Sequence, residues 1–250
     1  MGLLGGNYAQ TEIDRMFAYR HRVTVRDTAW HAQYGSKQMN VAVTGSTGLV
    51  GSALLPFLES SGHTVKPLRR GIGNLHRALD QPTWDPNRSR LYGVSLNGVD
   101  AVVHLAGENI AAARWSDAQK ARIRDSRVDG TRHLCEALTQ LEHPPKTLVV
   151  ASAIGFYGDR GDERLTENSE PGTGFLPEVC EAWEAAADVA RTAGIRVVHL
   201  RVGIVLTPAG GALKQMLLPF IMGVGGVIGS GRQFMSLVSL DDVLAGVLHA

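Results

Sequence analysis

Three glycines, Gly45, Gly48 and Gly51, fall three apart in NVAVTGSTGLVGSALLPFL, where a short apolar run gives way to helical spacing. This spacing suits the binding of a pyrophosphate. Gly45 permits a tight turn, Gly48 removes a side chain where a phosphate must approach the backbone, and Gly51 lets the next helix pack closely on its strand. The helix N-terminus offers free N–H groups and partial positive charge. Ser46, Thr47, Leu49 and Val50 complete the candidate cradle. A merely flexible loop is the competing reading, and the strand–turn–helix context argues against it. Roughly 20 residues on, an NAD site places an Asp or Glu to accept from the ribose 2′-OH. Here the chain reads PLRR instead. Basic residues after a strand can be simply solvated, but Arg69 and Arg70 together can grip a 2′-phosphate through charge-assisted hydrogen bonds. The expected cofactor is therefore NADP (NADPH).

The elements that must hold these residues alternate from Asn40 onward. NVAVT reads as a strand, residues 49–58 as a helix and HTVKPL as a second strand. Residues 71–97 are rich in Pro, Gly and Asn, with a short strand and turn at PTWDP. DAVVHLAG reads as a buried strand entering a loop, and residues 115–141 as one long amphipathic helix stopped by Pro144 and Pro145. TLVVASA, a helix over 176–193, IRVVHLRVGIVL and a final helix from Leu240 continue the pattern. Strands alternating with helices predict an α/β fold, a parallel sheet covered on both faces and linked by right-handed crossovers. Residues 1–38 differ: they are polar, rich in His and Arg, and expected to form one or two short helices between Glu12 and about Ala32. This segment reads as a linker or the tail of a preceding module.

Composition narrows the functions. A formal net charge of +1 gives no global field toward nucleic acid or anionic membrane, so neither is an expected partner. The two cysteines, Cys135 and Cys180, have no metal-ligand spacing and form no disulfide framework. No apolar run reaches the ~18 residues of a membrane span and no signal peptide is recognisable, so the expected compartment is the cytoplasm.

TGSTGLVG, HLAGENI and VVASAIGFYGD together resemble the extended short-chain dehydrogenase/reductase superfamily. RW (Arg114, Trp115), RDSRVDGTRHL, FLPEVCEAWEAAA, LRVGIVLTPAGGAL and LPFIMGVGGVIGSGRQFMS sharpen the match to its atypical, nucleoside-diphosphate-sugar epimerase-like branch, over residues 39–250. The resemblance implies a Rossmann doubly wound sheet and an NADP-type cofactor. It places Gly45, Gly48 and Gly51 on the pyrophosphate, Arg69 and Arg70 on the adenosine 2′-phosphate, and Leu105, Ala106 and Gly107 under the adenine and ribose. Arg127 falls where the superfamily points a polar helix residue at the active site; an exposed helix arginine is the alternative. Ser152 and Tyr157 fall where a hydroxyl orients a substrate carbonyl, though Tyr157 could equally be a packing aromatic.

One departure bears on activity. The superfamily's reductive chemistry uses a Tyr-x-x-x-Lys pair on the next helix, the lysine tuning the tyrosine for proton transfer. GFLPEVCEAWEAAA has neither residue; Cys180 and Glu181 are the nearby polar groups, and Ala153 stands where the catalytic Ser or Thr is usual. The expected function is an NADP-dependent oxidoreductase or epimerase acting on a small polar or nucleotide-linked substrate. The alternatives are an NADP(H)-binding sensor and a catalytically degenerate Rossmann module. RMFAYRHRVTVRDTAWH resembles the tail of a small lipid-binding-type domain fused ahead of some relatives. The last helix stops in its apolar pattern at Ala250, so the substrate-binding part is expected to be small and truncated. Its uncovered surface, with Leu217, Leu218, Phe220, Ile221, Val227 and Ile228, is then expected to be exposed or to self-associate.

Overall fold

The computed structural model describes residues 3–35, 37–71, 82–92, 96–111, 113–227 and 229–250, with backbone alone for residues 3–7. Ile228 and the whole stretch from 72 to 81 lie outside the described residues, as do 93–95. Strand β1 (Asn40–Thr44) runs into the glycine turn and α2 (Leu49–Ser60), and β2 (Thr64–Arg70) returns parallel beside it. β3 (Thr83–Asp85) adds parallel to β2, and β4 (Arg90–Tyr92) closes that edge antiparallel. The chain then crosses to the other side of β1. There β5 (Ala101–His104), β6 (Thr147–Ala153) and β7 (Arg196–Val202) add in parallel, joined by α3 (Asp117–Thr139), α4 (Phe175–Ala185) and α5 (Asp188–Thr192). The resulting seven-stranded order, β4-β3-β2-β1-β5-β6-β7, reverses direction between β1 and β5. In a doubly wound sheet that reversal opens a crevice beyond the strand C-termini, where ligands bind.

Alternation along the strands sorts two cores. Val41, Val43, Val103 and Val149 face α2 and α7 (Leu240–His249), packing on Leu54, Phe57, Leu58, Leu244 and Val247. Ala42, Leu68, Val102, Leu148 and Val150 face α3, α4 and α5, packing on Leu134, Leu138, Trp183, Ala187 and Ala190. Strands buried on both faces read as continuous apolar runs, as NVAVT and AVVH do. Past Val202 the chain leaves the main sheet. β8 (Ile204–Leu206) pairs in parallel with β9 (Leu237–Ser239), and α6 (Gly211–Ile221) lies between them in sequence.

Two segments differ from expectation. The N-terminal region forms not one or two short helices but a single helix, α1 (Leu3–Tyr34), of 32 residues. Among the described side chains its last turns dock: Trp30 lies edge-on to Phe57, His31 packs 4.5 Å from the same ring, Tyr34 meets His249, and Arg26 pairs with Asp241. Residues 8–22 are exposed throughout. The helix expected over 176–193 is two, α4 and α5, separated by a turn at Ala186 and Ala187. Among the described residues no helix is long and apolar enough to cross a membrane.

Candidate functional site

The glycine turn sits at the β1–β5 switch point, and sterics dictate its residues. Gly45 has φ +66, and a Cβ there would lie 2.8 Å from the backbone of Leu105. A Cβ on Gly51 would lie 2.2 Å from the Gly45 carbonyl oxygen. Gly48 is the N-cap of α2, its N–H donating to the Gly45 carbonyl at 2.9 Å, and no side chain caps the helix. The first N–H groups of α2 therefore have no intrahelical acceptor and point into the crevice. Ser46 and Thr47 form the turn ahead of the helix, and Leu49 and Val50 start it.

A buried polar chain fixes the distance between the turn and the loop after β5. Thr44 Oγ1 accepts from the N–H groups of Leu105 (3.1 Å) and Ala106 (3.3 Å) and lies 2.7 Å from His104 Nδ1. With both hydroxyl lone pairs used, the Thr44 hydroxyl must donate to Nδ1. The His104 proton is then on Nε2, donated to Thr131 Oγ1 at 3.1 Å, which also accepts from Trp183 Nε1 at 2.8 Å. Complete burial pushes the His104 imidazole down to about 4, so it is neutral, as this arrangement requires.

Arg69 and Arg70 stand exposed at the end of β2, one and two steps past Leu68, the register partner of Thr44. Neither guanidinium pairs with a described residue. Strand alternation sends the two side chains to opposite faces of the sheet, so they are not equivalent. Arg127 is turned inward rather than exposed on its helix. Its guanidinium lies 5.1 Å over the Trp183 ring, donates to the Ile123 carbonyl, and sits so close beneath Gly107 that a Cβ there would come within 3.3 Å of it. Burial lowers its pKa, opposed by the neighbouring Cys180 and Glu108.

The other hydroxyl candidates meet in a cluster that sequence reasoning missed. Ser152 on β6 is the parallel register partner of Arg201 on β7. Ser152 Oγ donates to Glu184 Oε1 at 2.6 Å, and Arg201 holds both oxygens of that carboxylate, Nε to Oε1 at 2.9 Å and Nη2 to Oε2 at 2.8 Å. Arg201 Nη1 also donates to the Tyr157 hydroxyl at 3.0 Å and to the Glu167 carbonyl at 3.2 Å, and the guanidinium lies 3.5 Å over the Phe156 ring. Burial pushes the Glu184 carboxyl up, but the bonds from Arg201 and Ser152 outweigh it and hold the pKa below the ordinary value. The bond to Glu184 raises Arg201 further above its already high value. Tyr157 thus makes a specific polar contact, and it is held in place because Gly172 packs against its carbonyl, where a Cβ would come within 2.3 Å. Cys180 is buried, its thiol pushed up to about 11 by burial, so it remains a protonated thiol. One signal for Glu184 was available: it lies four residues after Cys180, one helical turn along the same face.

The profile of the NAD dependent epimerase/dehydratase family matches residues 41–250. An epimerase family protein of Mycobacterium bovis is 44% identical over 211 residues, covering 84% of this chain and 68% of its own length. Among solved structures, the nucleoside-diphosphate sugar epimerase from Corynebacterium glutamicum superposes with a TM-score of 0.80 at 38% identity, covering 94% of this chain and 49% of that one. The human epimerase family protein SDR39U1, solved with NADPH, gives a TM-score of 0.71 at 35% identity, covering 84% of this chain and 68% of that one. The chain thus spans about two thirds of the Mycobacterium bovis relative and about half of the Corynebacterium protein. Family profile, sequence identity and superposed fold agree: this chain belongs to the NAD dependent epimerase/dehydratase family.

Proposed function

We propose that this chain binds NADP(H) and acts as an oxidoreductase or epimerase on a small polar or nucleotide-linked substrate. The observation that carries the reading is the pairing of an uncapped glycine turn with two exposed arginines at the end of β2, where no acid stands. The cradle fits the cofactor because an added Cβ at Gly45 or Gly51 would collide with backbone, so the turn keeps its shape for backbone contact. The human relative solved with NADPH supports the same choice. In this reading residues 45–51 hold the pyrophosphate and Arg69 and Arg70 hold the 2′-phosphate. Leu105, Ala106 and Gly107 line the adenosine, and Arg127 supports that loop from below. Ser152 and Tyr157 are the catalytic residues at the substrate end. The bound cofactor would supply hydride chemistry there.

The same reading takes residues 39–250 as the cofactor-binding domain, with β8, β9 and α6 as part of the substrate-binding elements, in a cytoplasmic protein. It takes residues 1–38 as the linker or tail of a preceding module. The exposed stretch of α1 and a Corynebacterium match longer than residues 39–250 alone can supply both support that division. Leu218, Phe220, Ile221 and Val227, between 59% and 79% exposed, form an apolar surface through which the chain would self-associate; light scattering across a concentration series that stays at the monomer mass contradicts this.

A second reading, an NADP(H)-binding sensor without turnover, has one observation on its side: α4 carries neither the tyrosine nor the lysine of the usual acid. Fluorescence titration with NADPH tests the cofactor, and a chain that does not bind it overturns both readings. Single-turnover oxidation of bound NADPH by a panel of carbonyl compounds separates them. Oxidation that is lost in Tyr157→Phe supports the enzyme; bound NADPH that no carbonyl oxidises supports the sensor.

A further inference from the structure

We infer that the Glu184–Arg201 ion pair is the positioning device of this site. It fixes Tyr157 as a hydrogen-bond donor and Ser152 as a hydrogen-bond acceptor, so that the site takes a hydroxylated carbonyl compound rather than a simple ketone or aldehyde. The inference rests on the function proposed above and names the polarity of its substrate.

The argument is donor accounting. A carboxylate only accepts and a guanidinium only donates. Glu184 is ionised and bound at both oxygens by Arg201, so the 2.6 Å contact with Ser152 uses the serine's only hydrogen. What Ser152 Oγ has left is lone-pair capacity, and a substrate hydroxyl can satisfy it. Arg201 Nη1 donates to the Tyr157 oxygen at 3.0 Å, so the phenol's own hydrogen is directed elsewhere. No described residue accepts it, which leaves it for an acceptor oxygen on the substrate. A proton is thus held at Tyr157 Oη without a lysine one turn away. Ser152, Tyr157 and Arg201 all project from the C-terminal edge of β6 and β7, the edge that also carries Gly45 and Gly107. The pair is largely but not fully buried, with side chains 14% and 20% exposed, so water competes for these bonds less than at the surface.

A site that hydrogen-bonds a hydroxyl discriminates strongly against an analogue that lacks it, because its polar atoms are then left unpaired. A merely structural ion pair would instead hold β7 against α4 and leave the two hydroxyls indifferent.

The first test needs no cofactor. In protein labelled with ¹³C at tyrosine Cζ, the Tyr157 resonance is assigned by Tyr157→Phe. Glu184→Gln should move that resonance although Glu184 does not touch Tyr157, while the resonances of Tyr34 and Tyr92 stay in place. Arg201→Ala should move it as well, and added guanidinium ion at low millimolar concentration should return it. Should Glu184→Gln fail to fold, Glu184→Asp keeps the charge but is too short to hold both Ser152 and Arg201, and it should move the resonance in the same sense. A Tyr157 resonance indifferent to Glu184 and Arg201 overturns the inference. The second test compares glyceraldehyde with propanal as single-turnover oxidants of bound NADPH. Glyceraldehyde should react at least about 10-fold faster, with the preference lost in Ser152→Ala. Equal rates, or oxidation by neither compound with NADPH bound, overturn the substrate polarity. Failure of NADPH to bind contradicts the function proposed above and leaves the tyrosine test to decide this one.

Discussion

The two ends of the crevice are made of different material. The proposed phosphate end is backbone: a turn whose shape is set by collisions that a Cβ at Gly45 or Gly51 would cause, ending in N–H groups at α2 that no side chain caps. The proposed substrate end is side chain: Ser152, Tyr157, Glu184 and Arg201, drawn from a strand, a 3₁₀ turn, a helix and another strand, and held together by charge. Between them runs the neutral chain Thr44–His104–Thr131–Trp183. The difference teaches where each end is vulnerable. The first should fail when atoms are added, the second when charge is removed, and the middle when protons are added.

Gly45→Ala should have the largest effect. Left-handed strain and a 2.8 Å contact with the Leu105 backbone together cost about 3 kcal/mol, or a melting midpoint about 10 °C lower. A variant that melts like the parent would show the turn to be plastic and break the contrast.

His104 gives an effect of similar size that appears only in acid. Its folded pKa is depressed to about 4 by burial, whereas the unfolded chain binds the proton near 6.5. Between these values the unfolded state holds more protons, so stability is full above pH ~6.5 and falls as pH drops toward ~4, by about 3 kcal/mol in all. His31, His63 and His199 are also depressed, burial being the first cause of each, and they add in the same sense. Urea unfolding of the parent and His104→Asn across this range isolates the His104 share. Parallel pH curves for the two proteins would contradict the neutral chain.

Glu184→Gln should cost less, about 2 kcal/mol, because the pair is partly solvated and below the ~3–5 kcal/mol of a fully buried one. Its carboxyl is depressed, so its contribution is present above the unfolded value near 4.3 and lost as pH falls through the lower folded value. The variant should therefore lack the most acidic step of the parent's unfolding curve. A cost of only a few tenths of a kcal/mol would make the pair a surface ornament.

The same contrast explains what the sequence could convey. The glycine turn lies within seven consecutive positions, 45–51, and the short apolar strands and the start of the final helix at Leu240 were equally local. The long N-terminal helix was not legible, because residues 8–22 are exposed and carry no apolar period; Arg26, Trp30, His31 and Tyr34 tie it down. The break between α4 and α5 falls in a run of alanines, with no Gly or Pro to announce it. Ser152 and Tyr157 could be singled out by their hydroxyls and Glu184 only by its helical spacing from Cys180, but nothing in the sequence tied Glu184 to Arg201. Their partnership depends on β6 and β7 lying in register, which makes Ser152 and Arg201 neighbours across the sheet.

The central claim, that the phosphate end is built for NADP, has the smallest predicted effect and the most direct test. Isothermal titration with NADPH and NADH should show NADPH binding at least about 10-fold tighter, the worth of one or two charge-assisted hydrogen bonds. Because Arg69 and Arg70 leave the strand on opposite faces, Arg69→Ala and Arg70→Ala should erase unequal parts of that ratio, and the double variant all of it, with NADH affinity nearly unchanged. Equal affinities for the two cofactors in the parent chain, or a ratio untouched in the double variant, would contradict the account.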